Sequence, residues 1–327
     1  MAIAPELIER FRADLAAVWP ALESDEARLG VAVSGGGDSM ALLLLAQAVL
    51  PDRIEAATVD HRLRSESAGE AATVARHCGQ LGVPHSILAV DVTQGNMQAR
   101  AREARYAALA AWCRDQSLDA LATAHQLDDQ AETLLMRLNR GSGLGGLSAI
   151  RSRGLVPLTT IPLVRPLLGW RREDLRALVV HAGIDPIDDP SNENSDFDRI
   201  RVRKALTDAE WLDPAGLARS AALLGEAAET IDRIVAREYA EDVELSDGRA
   251  VYFAARSGFA TILVQSGVVR VIFRHFGKAI DRGEAAALAA ALTQGGKRNV
   301  GGILAECRQV AGEDVWAFAP EPPRRSA

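Results

Sequence analysis

Cysteine is scarce in this chain of 327 residues: Cys78, Cys113 and Cys307 stand far apart, with no CxxC pair and no even set. That spacing excludes a disulfide framework, gives no zinc or iron–sulfur signature and fits a reducing compartment, so a cytoplasmic location is expected. Long apolar runs are missing too. No stretch reaches the roughly 18 apolar residues that a membrane span needs. The opening "MAIAPELIERFRADLAAVW" carries charges throughout and reads as an amphipathic helix, not a leader, so no membrane association is expected. Nor is there a basic excess. A formal net charge of -7 argues against an indiscriminate nucleic-acid coat while leaving room for local basic stretches. No internal repeat is found. What is present, a 48% hydrophobic composition, is ample for a packed core in one large or two ordinary domains.

Apolar β-rich runs alternate with helical patterns: "RLGVAV", a helix over 39–49, "IEAATVD", a helix near 67–81, "PHSILAV", a helix near 98–114, "DALATA" and a helix near 127–139. That order predicts an α/β fold, a parallel sheet with helices on both faces. Right-handed crossovers bring the strand-to-helix loops "SGGGDS", "VDHRLRSES", "VTQGNM" and "TAHQLDD" to the carboxyl edge of the sheet, where such folds bind ligands. "LVRPLLGWRREDLRALVVHAGI" adds a fifth strand and a helix, followed by the polar, proline-punctuated "DPIDDPSNENSDFDRIRVRKAL". A boundary is expected near Trp211 to Pro214, giving domains 1–212 and 213–327. The second is expected to be smaller and mostly helical, with a long helix from 215 to about 240 and short strands around "AVYFAA" and "DVWAFA". The tail "PEPPRRSA" is expected to be disordered.

In "VAVSGGGDSMALLLLAQAVL", Val31 to Leu50, three glycines join a strand to a helix. Ser34, Gly35, Gly36 and Gly37 can form a nest of N–H donors at the positive end of that helix, which suits phosphate. The lysine of a Walker loop is missing, and Asp38 brings a negative charge instead. Asp38 or Ser39 fits the N-cap. A carboxylate in a phosphate cradle makes sense if Mg²⁺ bridges it to phosphate oxygens, with arginines elsewhere supplying further charge. "GSGLGG", Gly141 to Gly146, satisfies GxGxxG but follows a helix, so a flexible loop near a substrate is expected there in place of a dinucleotide site.

Along "ATAHQLDDQAETLLMRLNR", helical periodicity puts Leu127, Ala131, Leu134, Leu135 and Leu138 on one side and His125, Asp128, Asp129 and Glu132 on a polar ridge opposite. The ridge opens at the same edge as the glycine loop, where acids would attract a cationic substrate or a second metal. A solvated acidic face near a helix N-terminus is the plainer alternative. His125 stays open between a structural hydrogen-bonder and a base. Arg102 and Arg105 stand at helical spacing, and "RIRVRK" alternates Arg199, Arg201, Arg203 and Lys204 with apolar residues, giving one cationic face suited to nucleic-acid phosphates.

SGGxDS after a strand resembles the signature of the N-type ATP pyrophosphatases, which implies cleavage of ATP between its α- and β-phosphates. The motifs "SGGGDSMALL", "VDHRLRSES", "AREARY", "TAHQLDDQAETLLMRLNRGSGLGGL", "VRPLL" and "DDPSNENSDFDRIRVR", covering about residues 28–206 in that order, resemble the tRNA(Ile)-lysidine synthase family. Ile200 stands where that family usually has asparagine, and Thr207 where it has proline. The resemblance implies an enzyme that adenylates C2 of the wobble cytidine in a tRNA(Ile) with a CAU anticodon and then joins free lysine to it, releasing diphosphate and AMP. It implies ATP on Ser34 to Ser39 with Asp60 and His61, and Mg²⁺ on Asp38. It also implies lysine and a flipped cytosine at Asp129 and Glu132 with Arg105 nearby, His125 in the catalytic group, and tRNA on Arg199, Arg201, Arg203 and Lys204. The region beyond about 212 resembles the family's helical accessory domain. The additional C-terminal module of longer members is not expected, and a homodimer is.

Three alternatives compete. A sulfur-transferring relative would need a persulfide or cluster thiol. A metal phosphoesterase could use Asp60, His61, His125, Asp128 and Asp129 but leaves the triple-glycine loop without a purpose. The plainest is a non-catalytic ATP-binding module.

Overall fold

The computed structural model describes residues 3–62, 67–91, 97–187, 198–256 and 261–321. Contacts divide the chain into two compact units, Met1–Gly225 and Glu226–Ala327.

In the first unit, α1 (Pro5–Val18) and a 3-10 turn precede the strand β1 (Leu29–Ala32) and the helix α2 (Gly37–Val49). There follow β2 (Ile54–Asp60), α3 (Ser67–Gln80), β3 (His85–Ala89), α4 (Met97–Asp115), β4 (Ala120–Ala122), α5 (Leu127–Asn139), the short α6 (Leu144–Leu147), β5 (Arg153–Leu155), β6 (Pro162–Val164), α7 (Arg172–His181) and α8 (Asp198–Asp208). The six strands run in the order β3-β2-β1-β4-β6-β5. All neighbours are parallel except the edge strand β5, antiparallel to β6 and not expected from sequence. Its three residues are exposed, so no apolar pattern marks it. From β1 the chain steps outward to β2 and β3, then crosses to the other side of β1 as β4. The loops leaving β1 and β4 therefore lie side by side at the carboxyl edge, the crevice that open α/β sheets use for ligands.

Alternating strand residues feed two layers. Leu29, Val31, Ala56, Ala120 and Ala122 pack with α1, α2, α3 and α7, while Ala57, Leu121 and Leu163 pack with Tyr106, Leu109, Trp112 and Cys113 of α4. Gly30 lets α4 approach: a Cβ there would stand 2.9 Å from the Trp112 ring. Helix α2 is apolar nearly all round, and Ser39 to Ala46 and Val49 are buried. Burying one leucine is worth about 1.5–3 kcal/mol, whereas a missing side-chain cap costs about 1 kcal/mol. Leu42, Leu43 and Leu45 thus fix the helix behind the glycine loop although no side chain caps it.

The helix α9 (Pro214–Asp242) contains the division at Gly225. In the second unit come the hairpin β7 (Val243–Ser246) and β8 (Arg249–Tyr252), then α10 (Ile262–His275), α11 (Arg282–Thr293), β9 (Lys297–Val300), β10 (Ile303–Val310) and β11 (Glu313–Pro320). Its strands form an antiparallel sheet, β7-β8-β11-β10-β9, more extensive than the two short strands expected. Its core joins Val264, Val268, Ile272 and Phe273 of α10 to Tyr252, Trp316 and Phe318 of the sheet. Residues 322–327 of the expected disordered tail, 63–66 of "VDHRLRSES", 92–96 of "VTQGNM" and 188–197 of "DDPSNENSDFDRIRVR" lie outside the described residues. No described helix is long and apolar enough to cross a membrane.

Candidate active site

Gly35 has φ +92°, in the region that L-residues rarely enter, and a Cβ on it would meet Ile187 Cδ1 at 2.5 Å. The N-cap of α2 is Gly36, so Asp38 and Ser39 are not the cap but members of the first turn. Ser39 Oγ donates to Gly36 O at 2.9 Å and accepts from Ser34 N at 3.1 Å, closing the loop on itself. Asp38 takes no part in that closure and faces a cavity of about 900 Å³ at the carboxyl edge. Its carboxyl is raised from 3.8 to about 6, first by burial and then by the Asp129 carboxylate, against the opposing Arg172 charge. A half-buried carboxyl in a phosphate-type cradle that resists ionisation is the setting a divalent cation stabilises.

The neighbouring loop starts α5 with a capping box: Gln126 Oε1 accepts from the Asp128 and Asp129 amides, and Asp129 Oδ2 accepts from Gln126 N at 3.2 Å. Asp129 lines the cavity, and burial raises its carboxyl above the usual range despite the Arg199 charge. Glu132, one turn on, is only 1% exposed, so the polar ridge is not a solvated face. Its carboxylate accepts from Arg172 Nη2 at 3.0 Å, Arg199 Nε at 2.7 Å and Arg203 Nε at 2.7 Å. Burial alone would raise Glu132, but the hydrogen bonds from Arg203 and Arg199 outweigh it and hold the group below its usual range. Arg199 Nη2 also lies 2.8 Å from Asp129 Oδ1 as an ionic contact, off the line of a hydrogen bond. On the apolar side Leu127, Ala131 and Leu134 are buried as expected, whereas Leu138 is 57% exposed.

The alternating arginines are in the helix α8, not in an extended segment, so their expected single cationic face divides in two. Arg199 and Arg203, four apart, turn inward to Glu132, and Arg201 and Lys204 stay outside, Arg201 on Asp198. A second arginine group has a different character. Arg102 and Arg105 stack over Tyr106, 5.0 and 5.5 Å from its ring centre, and buried Arg165 gives one hydrogen bond to Arg151 O at 2.7 Å while its Nε is unpartnered. No described carboxylate pairs with any of the three. His125 lies in their field: its imidazole is pushed down to about 3, by burial first and then by Arg165 and Arg199, and its Nδ1 meets Thr123 Oγ1 at 3.1 Å. An imidazole held that low is neutral at physiological pH and only weakly basic, and the weak basicity argues against the base role left open from sequence. His61 is lowered likewise by burial and by Arg105, and its buried Nδ1 has no partner among the described residues. Asp60 is lowered by hydrogen bonds from Arg62 N and Ser67 Oγ, both at 2.8 Å, and organises the turn after β2.

The phosphoesterase constellation does not assemble. Asp128 Oδ2 accepts from Arg172 N at 2.9 Å at the start of α7, and no group of three or more His, Cys, Asp or Glu is arranged for a metal among the described residues. "GSGLGG" does follow a helix. It is tied down by Arg137 Nη1, which donates to Gly146 O at 2.7 Å and Ala149 O at 2.8 Å, and it does not line the cavity, contrary to the flexible substrate loop expected.

Comparison with known proteins accords with this layout. The family described as PP-loop domain matches residues 7–210. The tRNA(Ile)-lysidine synthase of Novosphingobium aromaticivorans is 42% identical over 320 residues, covering 97% of this chain and 94% of that protein. The namesake from Zymomonas mobilis is 40% identical over 305 residues, covering 92% and 90%. The chain belongs to the tRNA(Ile)-lysidine synthase family. Among solved structures, the U34-tRNA thiolase NcsA from Methanococcus maripaludis with its [4Fe-4S] cluster superposes with a TM-score of 0.55 at 18% identity, covering 68% of this chain and 79% of that one, a likeness of fold.

As a tRNA(Ile)-lysidine synthase family member the chain is a tRNA-modifying ligase built on an ATP pyrophosphatase fold. In the sequence Arg172 and Arg165 stand out only as members of a basic stretch, "GWRRED", and of the motif "VRPLL", with no individual role in such a site. Arg172 offered one cue: it is the first residue of α7, where a cation opposes the helix dipole and has to be compensated by something else. Arg165 directly follows β6 at the carboxyl edge, where position alone gives it meaning.

Proposed function

We propose that the protein joins free lysine to C2 of the wobble cytidine of a tRNA(Ile) with a CAU anticodon, through an adenylated tRNA. The observation that carries this reading is a cavity whose wall joins the glycine loop, Asp38 and buried Asp129 to Arg102 and Arg105, which no described carboxylate pairs with although Asp60 and Glu70 also line it. The N–H groups of residues 35–38 suit the outer two phosphoryls of ATP, the Ser39 N–H being bonded to Gly36 O. Asp38 would hold Mg²⁺, which supplies charge neutralisation for the departing diphosphate. The C2 carbonyl oxygen of cytidine attacks the α-phosphorus, the bond to the diphosphate breaks, and Arg105 with Arg102 steadies the charge that develops there. His125, with Thr123 on its Nδ1 and its basicity depressed, is a hydrogen-bonding part of the same wall and a poor proton acceptor. In the second step the ε-amine of lysine attacks C2 and AMP leaves with the oxygen. Asp129, raised by burial, is suited to orient the amine and to take its proton. The outer face of α8, Arg201 and Lys204, is suited to tRNA phosphates, and residues 213–327 to an accessory tRNA-binding role.

A sulfur-transferring reading lacks a thiol in the cavity. Cys78 and Cys113 are buried and held protonated, pushed up to about 11 and about 12 by burial, and none of the three cysteines lines the cavity. The test is incubation with bulk tRNA, ATP, Mg²⁺ and labelled lysine. A labelled nucleoside in the digested RNA, with AMP and diphosphate in equal amounts, supports the reading. ADP, or label left entirely as free lysine, refutes it.

A further inference from the structure

Glu132 belongs, by sequence, with Asp129 on one substrate-facing ridge. Their surroundings separate them. Asp129 lines the cavity and Glu132 does not. Both Glu132 oxygens are taken by arginines from two other helices, Arg172 on α7 and Arg199 and Arg203 on α8, at 2.7–3.0 Å. A longer contact from Arg203 Nη2 to Oε2, at 3.5 Å, occupies the fourth of the roughly four lone-pair positions of a carboxylate, so a substrate amine would have to displace a guanidinium. The three arginines, by contrast, all reach the cavity wall beside Asp38 and Asp129. Arg172 bridges the two acids, with Nη2 at 3.0 Å from Glu132 Oε1 and 3.2 Å from Asp129 Oδ1, and its amide is pinned by Asp128. Arg199 divides itself in the same way, Nε on Glu132 and Nη2 against Asp129. Glu132 is the fixed acceptor of this network. Asp129 is the exchangeable one, since the arginines that touch it keep their hold on Glu132 if a cationic substrate takes their place.

We infer that Glu132 is a positioning residue that never meets substrate and orders Arg172, Arg199 and Arg203 along the cavity wall, leaving Asp129 alone to receive the substrate amine. The assignment of the amine to Asp129 rests on the proposed lysine reaction. The ordering of the arginines does not.

Two measurements separate these parts. In steady-state assays with saturating ATP and tRNA, Asp129→Asn should raise KM for lysine at least tenfold. Glu132→Gln should lower kcat about tenfold or more with KM for lysine within about threefold of the parent. Arg172→Gln should follow Glu132→Gln, with Arg172→Lys recovering part of the loss, since lysine restores the charge without the fork. Hydrogen exchange of the free protein needs no substrate. Glu132→Gln should speed exchange of the α8 amides, residues 198–208, at least tenfold relative to the parent, and Asp129→Asn should not. Arg172→Gln and Arg172→Lys carry the kinetic test if Glu132→Gln does not fold. Overturning results are a lysine KM raised as much by Glu132→Gln or Arg172→Gln as by Asp129→Asn, or α8 exchange unchanged in Glu132→Gln. If no variant, nor the parent, uses lysine, the reaction reading fails while the exchange result still decides the role of Glu132.

Discussion

Replacing Asp38 by asparagine is expected to make the unliganded protein more stable while destroying its activity. A carboxyl carried from 3.8 in the unfolded chain to about 6 in the folded one has its ionised form disfavoured by about 3 kcal/mol. Between those two values the folded protein binds more protons than the unfolded one. Stability is therefore highest below the unfolded value, falls as pH rises toward about 6, and stays lowered above it. At pH 8 the whole penalty applies, and near pH 4 little of it does. Asparagine keeps the size and drops the charge. Allowing for residual solvation of the half-buried group and for structure in the unfolded chain, the gain at pH 8 is expected to be about 1–3 kcal/mol. Urea unfolding of parent and variant at the two pH values, without nucleotide, measures it. Adding Mg²⁺ and ATP should reverse the order: at about a thousand times its Kd a ligand adds about 4.1 kcal/mol, available to the parent and largely withheld from the variant. A variant no more stable than the parent at pH 8, or one that gains equally at pH 4, would refute the assignment of Asp38 as a carboxylate kept ready for a cation.

Other outcomes follow from the same geometry. Gly35→Ala places a Cβ at positive φ and against Ile187, which together should destabilise by about 2–4 kcal/mol; adding Ile187→Ala should return the steric share in thermal melts, and no recovery would mean that the clash is not the cause. Arg105→Gln should slow AMP formation by about 100-fold or more, while filter binding of tRNA changes little. Because His125 is held near 3 by burial and arginines, the activity profile from pH 6 to 8 should have the same shape in His125→Gln as in the parent; a limb near pH 6.5 that vanishes in the variant would contradict a neutral imidazole.

Much of the first unit was legible because its strands are short apolar runs with turn residues between them, and α2 to α5 follow each run at the expected distance. Three things were not. Strand β5 has three exposed residues and is identified only by its partner β6. The second unit's sheet hides in mixed sequences such as "KRNV" and "ILAECRQV" of β9 and β10, although Asp247-Gly248, both at positive φ, form a hairpin turn whose dipeptide is a recognisable signal. At the site, "RIRVRK" has the alternation of a period-two segment, whereas the chain winds it as a helix. That sends Arg199 and Arg203 to a glutamate 71 and fewer residues away in sequence. Contacts of that range leave no local trace, so the enclosure of Glu132 and the part played by Arg172 emerge only in three dimensions.

The arginines that no described carboxylate pairs with have a practical consequence for handling the purified protein. Small oxyanions at high concentration would settle against Arg102 and Arg105, so sulfate or phosphate in a buffer should inhibit competitively with the nucleotide, and a chloride or organic buffer is the sounder choice for kinetics.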